Sequence, residues 1–173
     1  MSTPVSKIVE RFFHIIEEDE EFFDYYNLTD EESMQLATER AYAIVEEALS
    51  KWKWRCNVSM SLNIIDEIDV EDDSIYKAVE GDLSSEEIFI VARLMFEIYI
   101  HRDIAKFKKD EINFTPKDLQ KFSPSNSRKT FMSMYKDICD ENLVMLKNYQ
   151  DRDRESGAQI VIDYAAYSEE GDS

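Results

Sequence analysis

The stretch LSSEEIFIVARLMFEIYIHRDI, residues Leu83–Ile104, decides how the chain is read. Ser84 followed three residues later by Glu87 is the pattern of a capping box, in which each side chain accepts from the other residue's backbone N–H at a helix start. Behind it Ile88, Val91, Ala92, Met95, Ile98 and Tyr99 recur with helical period. A helix running from this cap to about Lys109 is roughly 39 Å long. One small core does not cover that length, so part of the helix is expected to meet something else.

Working towards the N-terminus, Thr29 and Glu32 form another capping box. The helix it opens carries one apolar face of Ala37, Ala41, Ile44, Val45, Ala48, Leu49 and Trp52. Before it, Pro4 suits a first helical turn, and Val5, Ile8, Val9, Phe12, Ile15 and Ile16 follow with helical spacing. The acidic run Glu17–Glu21 and the aromatic cluster Phe22–Tyr26 end that helix, the aromatics reading as a helix end packed on the core. Between the two capped helices the pattern loosens. Asn57–Asp82 reads as a long loop with a short strand or helix at Ile75–Val79, because DEIDVEDD is too acidic to bury.

Towards the C-terminus, NFTPKDLQKFSPSNSRKTF (Asn113–Phe131) breaks the acidic helical pattern with two prolines, a serine cluster and four cations, Lys117, Lys121, Arg128 and Lys129; Lys108 and Lys109 come just before it. Thr115-Pro116 signals a short helix to about Lys121, and Ser123-Pro124 starts a long last one, with Phe131, Met134, Ile138, Met145 and Tyr149 near one face. Gly157 ends the regular region. Ala158–Tyr167 then alternates as a strand does, and a terminal strand in a helical protein must pair with another segment or another chain.

Composition agrees with the pattern. The chain has 173 residues, 43% hydrophobic, with only 3 Gly and 3 Pro, which favours long helices over a turn-rich sandwich. The expected class is all-α: a helical bundle over residues 1–156, with an N-terminal helical extension (1–28), a long loop, and an extended strand-like arm over 157–173. The net charge of −18 is unevenly placed. Residues 1–100 hold 8 Lys/Arg against 24 Asp/Glu, net −16, whereas residues 101–155 hold 12 against 10, net +2. An acidic half and a slightly basic half make contact between copies plausible.

Sites for chemistry are scarce. Glu10/His14 and Glu97/His101 stand four apart on helices, but a di-iron bundle needs a Glu-x-x-His step and further carboxylates, so these read as ordinary helix pairs. Asp66–Ser74 lacks the glycine and closing glutamate of a calcium loop. Phosphate-loop, nucleophile-elbow and Cys-x-x-Cys patterns are absent. Cys56 and Cys139 are expected as free, buried thiols in a reducing compartment. No apolar run nears the roughly 20 residues of a membrane span, and none follows a charged leader, so synthesis and use in the cytosol are expected. The aromatics Phe114, Phe122 and Phe131 beside the basic segment suit single-strand stacking, but the −18 charge opposes nucleic acid, and a salt-bridged surface between subunits is the better reading. Neither catalysis nor a cofactor or metal is expected.

The layout resembles the head–tail connector proteins of tailed bacteriophages, over roughly residues 28 to 167. The resemblance is carried by a helical core, the capped helix Leu83–Ile104, the segment KDLQKFSPSNSRKTFMSMYKDI (Lys117–Ile138), and a strand-like tail after LKNYQDRD. It implies a homo-oligomeric ring, commonly of a dozen copies, between the portal protein and a tail or second neck protein. Such a protein is found in the virion neck, is assembled in the host cytoplasm, and passes double-stranded DNA without specific binding or any membrane. It further implies a portal-docking arm at Ile160, Val161, Ile162, Tyr164 and Tyr167 and an intersubunit contact at Lys117, Lys121, Phe122, Arg128 and Lys129. The acidic loop at Asp66, Glu67, Asp69, Glu71, Asp72 and Asp73 is then a channel wall or a contact to the next ring. Two other readings compete: an acidic inhibitor or DNA mimic acting on a basic enzyme surface, and, more weakly, a metal-dependent helical-bundle enzyme.

Overall fold

A computed structural model describes residues 2–17, 23, 28–56, 58–69, 73–113 and 124–160, with side chains omitted for 106–113 and 124–129. Four helices form the body among these: α1 (Val5–Ile15), α2 (Asp30–Cys56), α3 (Ser85–Asn113) and α4 (Pro124–Gln150). Both capping boxes form. The Thr29 N–H donates to Glu32 Oε2 at 2.9 Å and the Glu32 N–H to Thr29 Oγ1 at 3.3 Å. At α3 the Ser84 N–H donates to Glu87 Oε2 at 2.7 Å and the Glu87 N–H to Ser84 Oγ at 3.2 Å. The proline signal before α4 also holds, since that helix starts at Pro124.

α3 packs against α1, α2 and α4 at once. That position explains its near-continuous apolar sequence: Ile90, Val91, Ala92, Leu94, Met95, Ile98, Tyr99 and Ile100 are all buried, although they do not lie on one stripe. α2 contributes the whole expected face, from Ala37 to Trp52. α1, expected as an extension, supplies Val5, Ile8, Val9 and Phe12 to the same core. α4 gives Ile138 and Leu146, with Met145 and Tyr149 packed behind them. Phe131 and Met134 continue that face of α4 but are each 39% exposed.

The all-α expectation is corrected in one place. The region read as a long loop with a short strand or helix at Ile75–Val79 holds an antiparallel hairpin, in which that segment is the strand β3 (Ile75–Val79) and pairs with β2 (Ile64–Ile68), and Thr3–Pro4 adds a short strand β1 to make a three-stranded sheet of order β1-β3-β2. Thr3 pairs with Val79, and Ile68 faces Ile75 near the hairpin tip. Ala78 and Val79 are buried at its base. The acidic residues are tolerated because they stay at the surface and find donors there: Glu67 accepts from the Ser2 hydroxyl at 2.5 Å and the Tyr76 hydroxyl at 2.8 Å. Those bonds hold its carboxyl below the ordinary value. Thr3 joins sheet to helix, its hydroxyl donating to Gly81 O at 3.0 Å and accepting from the Leu83 N–H at 2.8 Å. Pro4 therefore precedes α1 at the strand end rather than sitting in its first turn.

Candidate assembly interface

Two buried carboxylates on α3 organise the side chains around them. Glu87 closes its capping box and also takes a bidentate Arg154 guanidinium, Nε at 2.6 Å and Nη2 at 3.0 Å, together with the Tyr149 hydroxyl at 2.6 Å. One turn-rich segment is thereby clasped to the body. Beyond α4 the chain reverses: Gly157, at φ +66°, donates to Asp153 O, the Asp153 N–H donates to Ala158 O, and Arg152 and Gln159 form an isolated antiparallel bridge. Ser156 caps the turn by donating its N–H and hydroxyl to the Asp153 carboxylate at 2.8 and 2.7 Å. The end of the regular region at Gly157 is thus an ordered turn, with glycine where an L side chain would be strained. Ile160, 55% exposed, ends the described chain, and the remaining arm residues Val161, Ile162, Tyr164 and Tyr167 lie outside it.

Glu97 lies between α2, α3 and α4. It accepts from Lys51 Nζ at 2.7 Å, Asn142 Nδ2 at 3.0 Å, the Cys139 thiol at 3.4 Å and Arg55 Nη2 at 3.5 Å. The expected Glu97/His101 helix pair is therefore not made; His101 stacks at a tilt on Tyr135, with ring centroids 5.6 Å apart. Burial pushes both thiols, Cys56 and Cys139, above the ordinary cysteine value, so neither is an activated nucleophile. Burial also raises Tyr135, to about 12. The cysteines are free, as expected, but half-buried.

For Glu87 and Glu97 burial alone would raise the pKa, but their hydrogen bonds outweigh it and both fall below the ordinary 4.5. Each group binds its proton less tightly when folded. Each therefore stabilises the fold fully above about 4.5 and loses that contribution as pH falls through the depressed folded value. Urea unfolding at acid pH should show the contribution of these two carboxylates declining on the acid side of about 4.5. Glu87→Gln should flatten that decline; an unchanged acid limb in this variant would show that Glu87 carries none of it.

Outside these clusters, large apolar side chains stand exposed on separate elements. Trp54 on α2 is 83% exposed, Ile68 and Ile75 at the hairpin tip 64% and 72%, and Leu143 and Val144 lie on the outer side of α4. Beside Trp54 runs a groove of about 460 Å³, walled by Lys51 from α2, Ile98 and His101 from α3 and Tyr135 from α4. Sequence reading passed over this place, although its signal was present: KWKWR (Lys51–Arg55) alternates cations with tryptophans in an acidic chain. Of the acidic loop, Asp66 and Glu67 lie on β2 and Asp69 and Asp73 at the tip, while Glu71 and Asp72 fall outside the described residues. Of the basic hinge, Arg128 and Lys129 lie on the first turns of α4; Lys117, Lys121, Phe122 and the short helix expected at Pro116 are also outside them. Among the described residues no cluster of His, Cys, Asp and Glu is placed to hold a metal, and no helix is long and apolar enough to cross a membrane. No protein-family model, curated protein or solved structure matches the chain.

Proposed function

We propose that the chain is a structural subunit of a bacteriophage neck, forming a ring between portal and tail whose channel passes double-stranded DNA without gripping it. The supporting observation is that exposed apolar groups are spread over different elements of a strongly acidic chain: Trp54 on one helix, Ile68 and Ile75 on the hairpin, Leu143 and Val144 on another helix. A closed ring is built from head-to-tail contacts, which need two unlike faces on every subunit. The charge of −18 suits a lumen along which phosphates slide. The basic sequence from Lys117 to Lys129 is assigned to contact with a neighbour's acidic half.

Mass measurement with electron microscopy of the concentrated protein tests the reading. Closed rings with a central hole are expected; a chain that stays monomeric at every concentration overturns it, and tight binding of that monomer to a basic enzyme would favour an acidic inhibitor. A second expectation concerns the arm. Residues 153–160 belong to the clasped turn, so truncation after Ile160 should leave the melting temperature unchanged while co-sedimentation with the portal protein is lost. Normal co-sedimentation of the truncated chain would return docking to the helical body.

A further inference from the structure

We infer that the Lys53–Trp54 end of α2 in one copy docks into a groove on α4 of the next, a contact that rests on the ring reading above. The groove holds about 740 Å³ and runs between α4 and the start of α3. Glu86 stands on its α3 side, Asp137, Asp140 and Glu141 follow along α4, and Val144 and Met145 give it an apolar lining. Val144 is 60% exposed. Two of the carboxylates are engaged, Glu141 by Arg93 at 2.7 Å and Glu86 more loosely by Arg152 at 3.9 Å. Asp137 and Asp140 form no ion pair among the described residues. Uncompensated negative charge therefore stands next to open apolar surface.

The end of α2 presents the opposite combination. Around Trp54, Lys51, Lys53, Arg55 and Arg102 stand against Glu47 and Glu97, an excess of two cations. At the groove, Glu86, Asp137, Asp140 and Glu141 stand against Arg93 and Arg152, an excess of two carboxylates. Lys51 and Arg55 are held by Glu97, so the available cation is Lys53, which is exposed and has no carboxylate three or four residues away on its helix. Trp54 beside it has its ring almost wholly in solvent. Tryptophan desolvated in a pocket is a residue type on which binding energy concentrates, and opposite charges around it fix partner and register.

Trp54 and the groove of a single chain lie on different sides of α4. That helix meets α2 through Leu146 and Tyr149. Val144, two residues from the first and five from the second, lies about 140–160° round the helix from both. The groove thus faces away from α2, and the contact is made between copies. Two unlike surfaces on opposite flanks of one helix give the head-to-tail repeat that closes a ring.

The test places a photo-reactive side chain at Asn148, which lines the groove, in the full-length protein. Irradiation at low salt should give dimers and higher ladders, with the cross-link mapped to Lys51–Cys56 of another copy. Trp54→Ala in the same chain should cut the yield about tenfold or more. Lys53→Glu should lower it, and adding Asp140→Lys to that chain should restore it, since the two charges are then exchanged across the contact. Cross-links that map elsewhere, or rings that form with none from position 148, overturn this contact and leave the ring reading standing. Products that stop at dimers, joined at Lys51–Cys56, keep the contact and overturn the ring. A chain that neither cross-links nor associates at any concentration overturns both.

Discussion

Glu97→Ala is expected to destabilise the folded chain by about 3–5 kcal/mol, the cost of breaking a buried ion pair by removing one partner. The carboxylate is 1% exposed and meets donors from two other helices, so its loss leaves Lys51 without its partner and Asn142 one acceptor short. The pair as a whole is worth far less than this figure. Replacing both ends, Glu97→Leu with Lys51→Met, should recover only part of the loss, because it removes the stranded cation but still leaves the buried Asn142 without its acceptor. Urea unfolding reads the result as a shifted midpoint with unchanged slope. A loss below about 1 kcal/mol for Glu97→Ala would mean that water already reaches the site.

The second large effect separates two tryptophans only two residues apart. Trp52 is fully buried and meets the Tyr149 ring edge-on at a centroid distance of 5.7 Å, whereas Trp54 points away from the core. Trp52→Ala should cost about 3–5 kcal/mol through the cavity it leaves. Trp54→Ala should change the stability of the isolated chain by no more than about 0.5 kcal/mol. Its effect is expected in association instead, where sedimentation of the concentrated variant should show monomers. A Trp54→Ala protein that is strongly destabilised, or that still forms rings, would remove this residue from any interface.

The parts of the fold that were legible are those written locally. A capping box spans four residues and an apolar stripe repeats within two turns, so the starts of α2 and α3 and the buried face of α2 followed from spacing alone. Pro124 marked the start of α4 in the same way. The strand β3 was legible as a short strand or helix at Ile75–Val79, but its partners were not: β1 lies some 75 residues earlier, and the acidic β2 has Glu67 satisfied by Ser2, 65 residues away. Read by themselves, acidic residues at that density look like a solvated loop. Glu87 was found for one role and holds two, since the Arg154 clasp spans 67 residues and leaves no local trace. Glu97 was matched to His101 by helical spacing, but tertiary packing gave it Lys51 and Asn142. Of the candidate interface, the hinge and arm were chosen for composition, whereas the Trp54 groove needs three helices before it exists.

The pairing of Thr3 with Val79, and of α1 with α3, also sets an order of events on the ribosome. Phe12 has its aromatic neighbour Tyr99 with ring centroids 6.4 Å apart, yet 87 residues of synthesis separate them. At the usual elongation rate of 5–20 residues per second, about 4–17 s pass before that neighbour is even made. For that interval Val5, Ile8 and Phe12 belong to a helix that has α2 to pack on but still lacks the α3 side of its core. The run of acidic residues from Glu17 onwards follows directly on that apolar segment, and its charge is expected to oppose association between emerging copies until α3 is made.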